Sequence, residues 1–342
     1  MSIRSDVEVL ATHEGRTVGT AGHEVARRYL LERLETIGVK PYLSQGFEAW
    51  YQSGGQDLYN FGSVLYPKED LDDASQYGTQ EFCNLLAVLP GEDASLAPVL
   101  LGAHYDAVEG TPGADDNAAA VAVLLEVAGI LGQERLPRSV LLALFDAEEP
   151  PNFLSPSMGS IRFFEDQLLG PVHAAVIMDL VGHDVPIPGL EDLLFVVGLE
   201  SNEGLGEVIQ SCPVDPGIRI VPTLNRYVGD LSDHHVFREN GVPYLFLTCA
   251  TWQHYHRPTD TPDKLNYKKA EAIARYLARL TMQISGNPLA GAFEGYDSTD
   301  IELGFIRDTL GPVLSGMGVP TPPENRQEIS QLVSMMMVQF GL

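Results

Sequence analysis

The chain has 342 residues, 44% of them hydrophobic and 8% aromatic, so it can bury a sizeable core and global disorder is excluded. Asp and Glu number 47 against 21 Lys and Arg, a net charge of −26. A surface that acidic repels nucleic acid and anionic lipid, and its simplest consequence is a solvated coat.

From the N-terminus, 22–40 carries apolar residues at helical spacing, with Val25, Tyr29, Leu30, Leu34 and Ile37 on one face and Gly38 as the stop. Residues 41–52 read as extended. The stretch 53–80, rich in Gly, Asp, Ser and Tyr, reads as a long loop or insertion. A regular rhythm follows. EFCNLLAVLPG and APVLLGAHYD are apolar runs ended by turn residues and predict two strands. NAAAVAVLLEVAGILG, from Asn117 to Gly132, is apolar nearly all round and predicts a buried helix. RSVLLALFDAEE predicts a strand, MGSIRFFEDQLL a helix, and HAAVIMDL and LLFVVGLE two strands. Residues 203–211 read as helical, IRIVPTL as extended, DHHVFREN as a short helix, VPYLFLT as a strand and 267–284 as an amphipathic helix.

Strands alternating with helices, several of the strands continuously apolar, predict an α/β domain over 1–286 with a mostly parallel sheet covered on both faces. The remainder, 287–342, is interrupted by PTPPE and ends in the Met cluster of LVSMMMVQF. It reads as a helical extension packed on the core or on a second subunit, which allows a homodimer. Cys83, Cys212 and Cys249 are odd in number and lack CxxC spacing, so they read as buried thiols rather than a disulfide framework or a thiolate metal site. The N-terminus has no apolar leader and no apolar run reaches membrane-spanning length, which predicts a cytoplasmic protein, although a chain trimmed of its leader would read the same.

In α/β folds function gathers at the carboxyl ends of strands. Here the apolar runs end in LLGAHYD, ALFDAEE, IMDLVGHD and FLTCATWQHYH, each offering His, Asp or Glu. His104 stands two residues before Asp106, which can fix its imidazole for metal binding. Asp115 and Asp116 precede a helix; Asp115 or Asn117 could cap it, and a carboxylate there could also bridge two cations. Glu148 and Glu149 are adjacent at a strand end, so one can bind metal while the other faces substrate. Asp179 interrupts an apolar run, where a carboxylate is costly unless paired or metal-bound. His254 and His256 flank Tyr255, and spacing leaves either as a ligand. The set is oxygen plus nitrogen without thiolate, and two His with three carboxylates can hold two zinc-like ions if one carboxylate bridges. That chemistry is metal-assisted hydrolysis of an amide or similar bond.

The ordered series HYD, PGADDNA, FDAEE, MDL, SDH and HRPTDTPDKL, spread over about 98–266, resembles the M28 family of zinc aminopeptidases. The resemblance implies a single α/β domain with a mixed central sheet and a co-catalytic zinc pair. His104 and Asp179 would hold one ion, Glu149 and His256 the other, and Asp116 would bridge. Glu148 would be the general base, Asp106 would orient His104, Tyr255 would stabilise the oxyanion, and Asp233 would stand behind the ligands. The implied substrate is a peptide or small aminoacyl compound. One departure is PPNFLSPS after the paired acids, expected to form part of the pocket rim with Phe153 or Leu154 near the substrate. Glutaminyl cyclases, which use one zinc and resemble the same family, also lengthen this segment, but they place Trp where this chain has Tyr255. Cyclisation of an N-terminal Gln is therefore the alternative, and a non-catalytic binding module of the same fold a further one. Ser232-Asp233-His234 holds the letters of a nucleophilic triad, but adjacency is not triad geometry and no G-x-S-x-G elbow is present.

Overall fold

The computed structural model describes residues 1–53, 80–289, 293, 296–314, 316 and 322–340. Most of the 53–80 stretch and part of PTPPE lie outside the described residues.

Among the described residues nine strands form one sheet: β1 Lys40–Pro41, β2 Glu48–Ser53, β3 Gln80–Leu89, β4 Val99–His104, β5 Val140–Phe145, β6 Ala174–Met178, β7 Leu193–Val197, β8 Arg219–Thr223 and β9 Tyr244–Thr248. Their spatial order is β1-β3-β5-β4-β6-β9-β7-β8, with β2 also on β3. The sheet is mixed. Its centre, β5-β4-β6-β9, is parallel. Pairing turns antiparallel on both sides, β3 with β5 and β7 with β9. Every residue of β4, β5, β6 and β9 is buried, as parallel strands covered by layers on both faces require.

On one face lie α1 (Ile3–Leu10), α2 (Ala21–Ile37), α3 (Ala120–Leu131) and α4 (Tyr267–Gly286), with α3 packed on the other three or their neighbours. The opposite face buries Leu100, Phe145, Ile177 and Phe246 against Phe163 and Phe237. Gly102 of β4 lies under this packing: a Cβ there would stand 2.7 Å from the Phe145 ring and 2.8 Å from Ile177.

The helix expected over 22–40 is α2, capped by Thr20 and ended by Gly38 in the left-handed region at φ 82°. Its buried stripe differs from the expected one. His23, Ala26, Leu30, Arg33 and Leu34 face inward, while Val25 is 57% exposed. The inward polar residues are there because each meets a carboxylate: His23 Nε2 lies 2.9 Å from Asp146 Oδ1, and Arg33 Nε donates to Asp6 Oδ1 at 2.7 Å. After residue 298 the chain is helical again in α5 (Thr299–Phe305) and α6 (Arg326–Phe340). Leu303, Ile306, Leu310, Ile329, Leu332 and Met336 join the main core, and α5 lies on β8. All three cysteines are buried and free. Among the described residues, no helix is long and apolar enough to cross a membrane.

Candidate metal centre

The parallel central strands finish along one edge of the sheet, and that register collects the polar side chains. His104 closes β4, Glu148 and Glu149 follow β5, Asp179 follows β6, and His256 stands in the loop after β9. Asp116 reaches the same place from an irregular helical turn, Ala114–Ala119, in which its φ of −107° and ψ of 86° break the helix.

Asp116 lies between the two imidazoles. Its Oδ1 is 3.3 Å from His104 Nε2 and its Oδ2 is 3.1 Å from His256 Nε2. On the His104 side, Asp179 Oδ2 stands 3.5 Å from Nε2 and Glu148 Oε2 3.8 Å. On the His256 side, Glu149 Oε2 is 3.2 Å from Nε2. His254 is not part of this cluster; its Nδ1 meets Thr259 Oγ1 at 2.9 Å.

The donor set fits divalent cations. His104, Asp116 and Asp179 form one group able to hold an ion, and Asp116, Glu149 and His256 form another, with ligand atoms in each within 4.8 Å of one another. A third grouping, His104 with Glu148 and Glu149, competes for the same space. Both ring nitrogens of His104, Asp116 Oδ2, Glu149 Oε1 and Asp179 Oδ1 are buried without a hydrogen-bond partner. His104 Nδ1 does approach Asp106 Oδ1 at 3.3 Å, but without hydrogen-bond alignment. Buried polar atoms left unpaired at one spot are costly unless something neutralises them.

The charges act in the same direction. Burial pushes the Glu148 carboxyl well above the usual carboxylate range, and Glu149 and Asp179 add to it. Burial and then Asp116 raise Glu149 to about 8. Burial opposes protonation of His256, but the Asp116 and Glu149 carboxylates at 3.1 and 3.2 Å outweigh it and raise the ring to about 10. The Asp116 carboxyl is held low despite burial because both imidazoles face it.

Around the cluster, buried polar residues fix the backbone. Asp106 accepts the Glu148 and Glu149 amides, each at 3.1 Å. Asp146, the first acid of FDAEE, accepts Cys83 N at 2.7 Å and Ala147 N at 2.8 Å. Asp260 of HRPTDT accepts the Asp115 amide at 2.9 Å and the Asp116 amide at 3.1 Å. Neither Asp146 nor Asp260 was singled out from sequence, although both lie inside motifs that were. Of the two roles left open for these residues, helix capping is not taken up by Asp115 or Asn117. Asp115 instead accepts Gly182 N at 2.7 Å and faces His183 Nδ1 at 2.6 Å, and Asn117 donates to Met178 O at 3.0 Å. Both side chains are fully buried and find these partners at and just beyond the end of β6. Ala147, Leu180 and His256, each beside or within the cluster, have φ of 54°, 55° and 54°. Such strained non-glycine backbone gathers at functional sites.

Tyr255 stacks on His256 with ring centroids 3.8 Å apart. Asp233 is fully buried, neither oxygen has a hydrogen-bond partner, and burial raises it to about 7. The Ser232-Asp233-His234 letters do not make a triad: His234 Nε2 points to Asn225 Oδ1 and Gly229 O. The 150–157 loop turns toward β2, where Tyr51 Oη donates to Ser157 O at 2.9 Å. Phe153 and Leu154 are not among the residues that line the apolar cavity adjoining the cluster.

The sequence model of peptidase family M28 matches residues 84–281. The protein YfbL of Escherichia coli K12 is 31% identical over 216 residues, 51% of this chain and 63% of its own. Human endoplasmic reticulum metallopeptidase 1 is 28% identical over 275 residues, 78% of this chain and 28% of its own. The chain thus spans less than two thirds of either relative. Two solved structures share the fold: an aminopeptidase from Aneurinibacillus sp. strain AM-1, TM-score 0.61 at 16% identity, covering 86% of this chain and 94% of its own, and a glutaminyl cyclase from Porphyromonas gingivalis, TM-score 0.60 at 18% identity, covering 82% and 96%. With the family match extending over more than half of its length, the chain belongs to peptidase family M28.

Proposed function

We propose that the chain is an aminopeptidase that removes N-terminal residues from peptides or small aminoacyl amides, with two zinc ions and Glu148 as general base. The observation that carries this reading is the Asp116 carboxylate standing between His104 and His256, with Asp179 on one side and Glu149 on the other. His104 and Asp179 would hold one ion, Glu149 and His256 the second, and Asp116 both. When bound, such a pair polarises a carbonyl and acidifies water.

The chain's own residues then have distinct tasks. Glu148 is buried and raised above the usual carboxylate range, as a base working near neutral pH must be. It takes a proton from the attacking water and returns it to the leaving amine. Asp106, through the two amides it accepts, holds Glu148 and Glu149 in different directions. Tyr255 keeps its phenol proton, because burial and four nearby carboxylates push its pKa up, and it is assigned to the developing oxyanion.

The test is Glu148→Gln. Zinc content should stay at two per chain while turnover of a leucyl anilide falls about a thousandfold. Loss of one zinc would instead make Glu148 a ligand, and unchanged turnover would remove it from the mechanism. A glutaminyl substrate assayed in parallel separates this reading from cyclisation.

A further inference from the structure

His256 sits in the loop after β9, outside any strand or helix. Two residues of that loop, Ala250 and His256, take left-handed φ of 67° and 54°. Non-glycine backbone keeps such angles only where its surroundings hold it. Both ends of the loop are tied down: Cys249 N donates to Leu180 O at 2.9 Å, and the Asp260 carboxylate accepts the Asp115 and Asp116 amides. Between these ends, among the described residues, the hydrogen-bond and ring contacts of 252–259 stay within the loop, with two exceptions. His256 meets Asp116 and Glu149, and Trp252 stacks on His183 with ring centroids 4.6 Å apart and planes 15° from parallel.

His183 is a firm platform for the indole. It is fully buried, its Nδ1 meets Asp115 Oδ2 at 2.6 Å, and its carbonyl accepts Lys269 Nζ of α4 at 2.9 Å. Asp115 is the sequence neighbour of Asp116 and also accepts Gly182 N at 2.7 Å. The imidazole thus stands where the Asp116 turn meets the segment after Asp179, and Trp252 adds the His256 loop. One stack joins three segments that carry candidate ligands. Polar pairing does not recruit Trp252: its Nε1 and the Nε2 of His183 are both buried without a hydrogen-bond partner. What the pair supplies is ring-on-ring packing.

We propose that Trp252 is a positioning residue: stacked on His183, it holds the His256 loop against the Asp116 turn, so that the site of Asp116, Glu149 and His256 is formed before its ion arrives. Without this contact the ion itself would have to order the loop, which weakens binding. The site of His104, Asp116 and Asp179 draws no ligand from the loop and should be spared. The inference rests on the two-zinc reading for the number of ions, but the placement of the loop is measurable without any ion.

The test compares the full chain with Trp252→Ala and Trp252→Phe. In the ion-free chain, hydrogen–deuterium exchange over 250–257 should be at least about tenfold faster in Trp252→Ala and close to wild type in Trp252→Phe. In zinc titrations against a competing chelator, Trp252→Ala should weaken one equivalent by about ten- to a hundredfold and leave the other within about twofold, and Trp252→Phe should restore most of the loss. The chain has two tryptophans, Trp50 and Trp252. In Trp50→Phe, indole emission should therefore change with one equivalent of zinc and not with the other. Unchanged exchange in Trp252→Ala, or equal weakening of both equivalents, overturns the proposal. So do unchanged zinc affinities with a raised KM for a leucyl anilide, which would make Trp252 a substrate contact. Should Trp252→Ala not fold, the emission decides, and a response to neither equivalent or equally to both overturns the proposal. If the wild type binds a single zinc, the two-zinc reading fails and the ion-free exchange alone decides whether Trp252 places the loop.

Discussion

Glu148 and Glu149 are neighbours in sequence and both buried, yet they meet different partners, Glu148 the His104 side and Glu149 the His256 side. Alternation at a strand end explains the divergence, and the amides held by Asp106 fix it. The ion-free pKa values have a measurable consequence. Glu149 at about 8, His256 at about 10 and His104, which the surrounding carboxylates raise well above the usual imidazole value despite its burial, all carry a proton at pH 7. A metal ligand must give its proton up. Loading zinc at pH 7 should therefore release about three protons from these groups, and the number should fall as pH is raised through 8 and then 10. Calorimetry in buffers of different ionisation enthalpy counts them, and Glu149→Gln should release about one fewer. Release that does not vary with pH would mean that the ion-free cluster is already deprotonated. At this scale the ligand types were legible, because acids and histidines at the ends of apolar runs are conspicuous. The residues behind them were not. Asp146 and Asp260 are two acids among 47, and only their buried hydrogen bonds to backbone amides set them apart.

Elements place those residues, and here the N-terminal segment has a part that composition hides. Arg16 is fully buried and donates to four carbonyls: Nε to Tyr105 at 2.8 Å, Nη1 to Leu10 at 3.0 Å and Pro112 at 2.8 Å, and Nη2 to Gly113 at 2.9 Å. It joins the end of α1 to the segment between β4 and the Asp116 turn. Burial lowers its pKa, and Asp260 and Asp106 counter that. Arg16→Met should leave these carbonyls unpaired and cost about 3 kcal/mol in urea unfolding of the zinc-free chain, with Arg16→Lys recovering only part. A loss below about 1 kcal/mol would show that water replaces the guanidinium. An arginine in ATHEGRTVG reads as solvent-facing, because unpaired charges are seldom buried. The strands were legible because their apolar runs are short and bounded. Their mutual direction was not: a strand buried on both faces carries no alternation, so nothing marks β3 and β7 as antiparallel to the strands beside them.

At the scale of the whole molecule, the parallel centre and the acid-rich edge depend on each other. Four adjacent parallel strands put their carboxyl ends side by side, and the side chains placed there repel one another when no cation is bound. The folded chain should therefore be strained at this edge without ions and strongly stabilised by them. With free zinc at about a thousand times the dissociation constant, each site adds roughly 4 kcal/mol, so two sites raise the melting temperature by on the order of 10 °C. Chelation should reverse this, followed by differential scanning calorimetry. The net charge of −26 supplies a competing explanation, since any cation would screen such a surface. The two differ in saturation: a built pair of sites stops responding at two equivalents of zinc, whereas screening continues to grow with salt. His256→Ala separates them further, because it removes one ligand of one group and leaves the net charge almost unchanged. About half of the zinc-linked stabilisation should disappear in that variant, and an undiminished shift would assign the effect to the surface rather than to the centre.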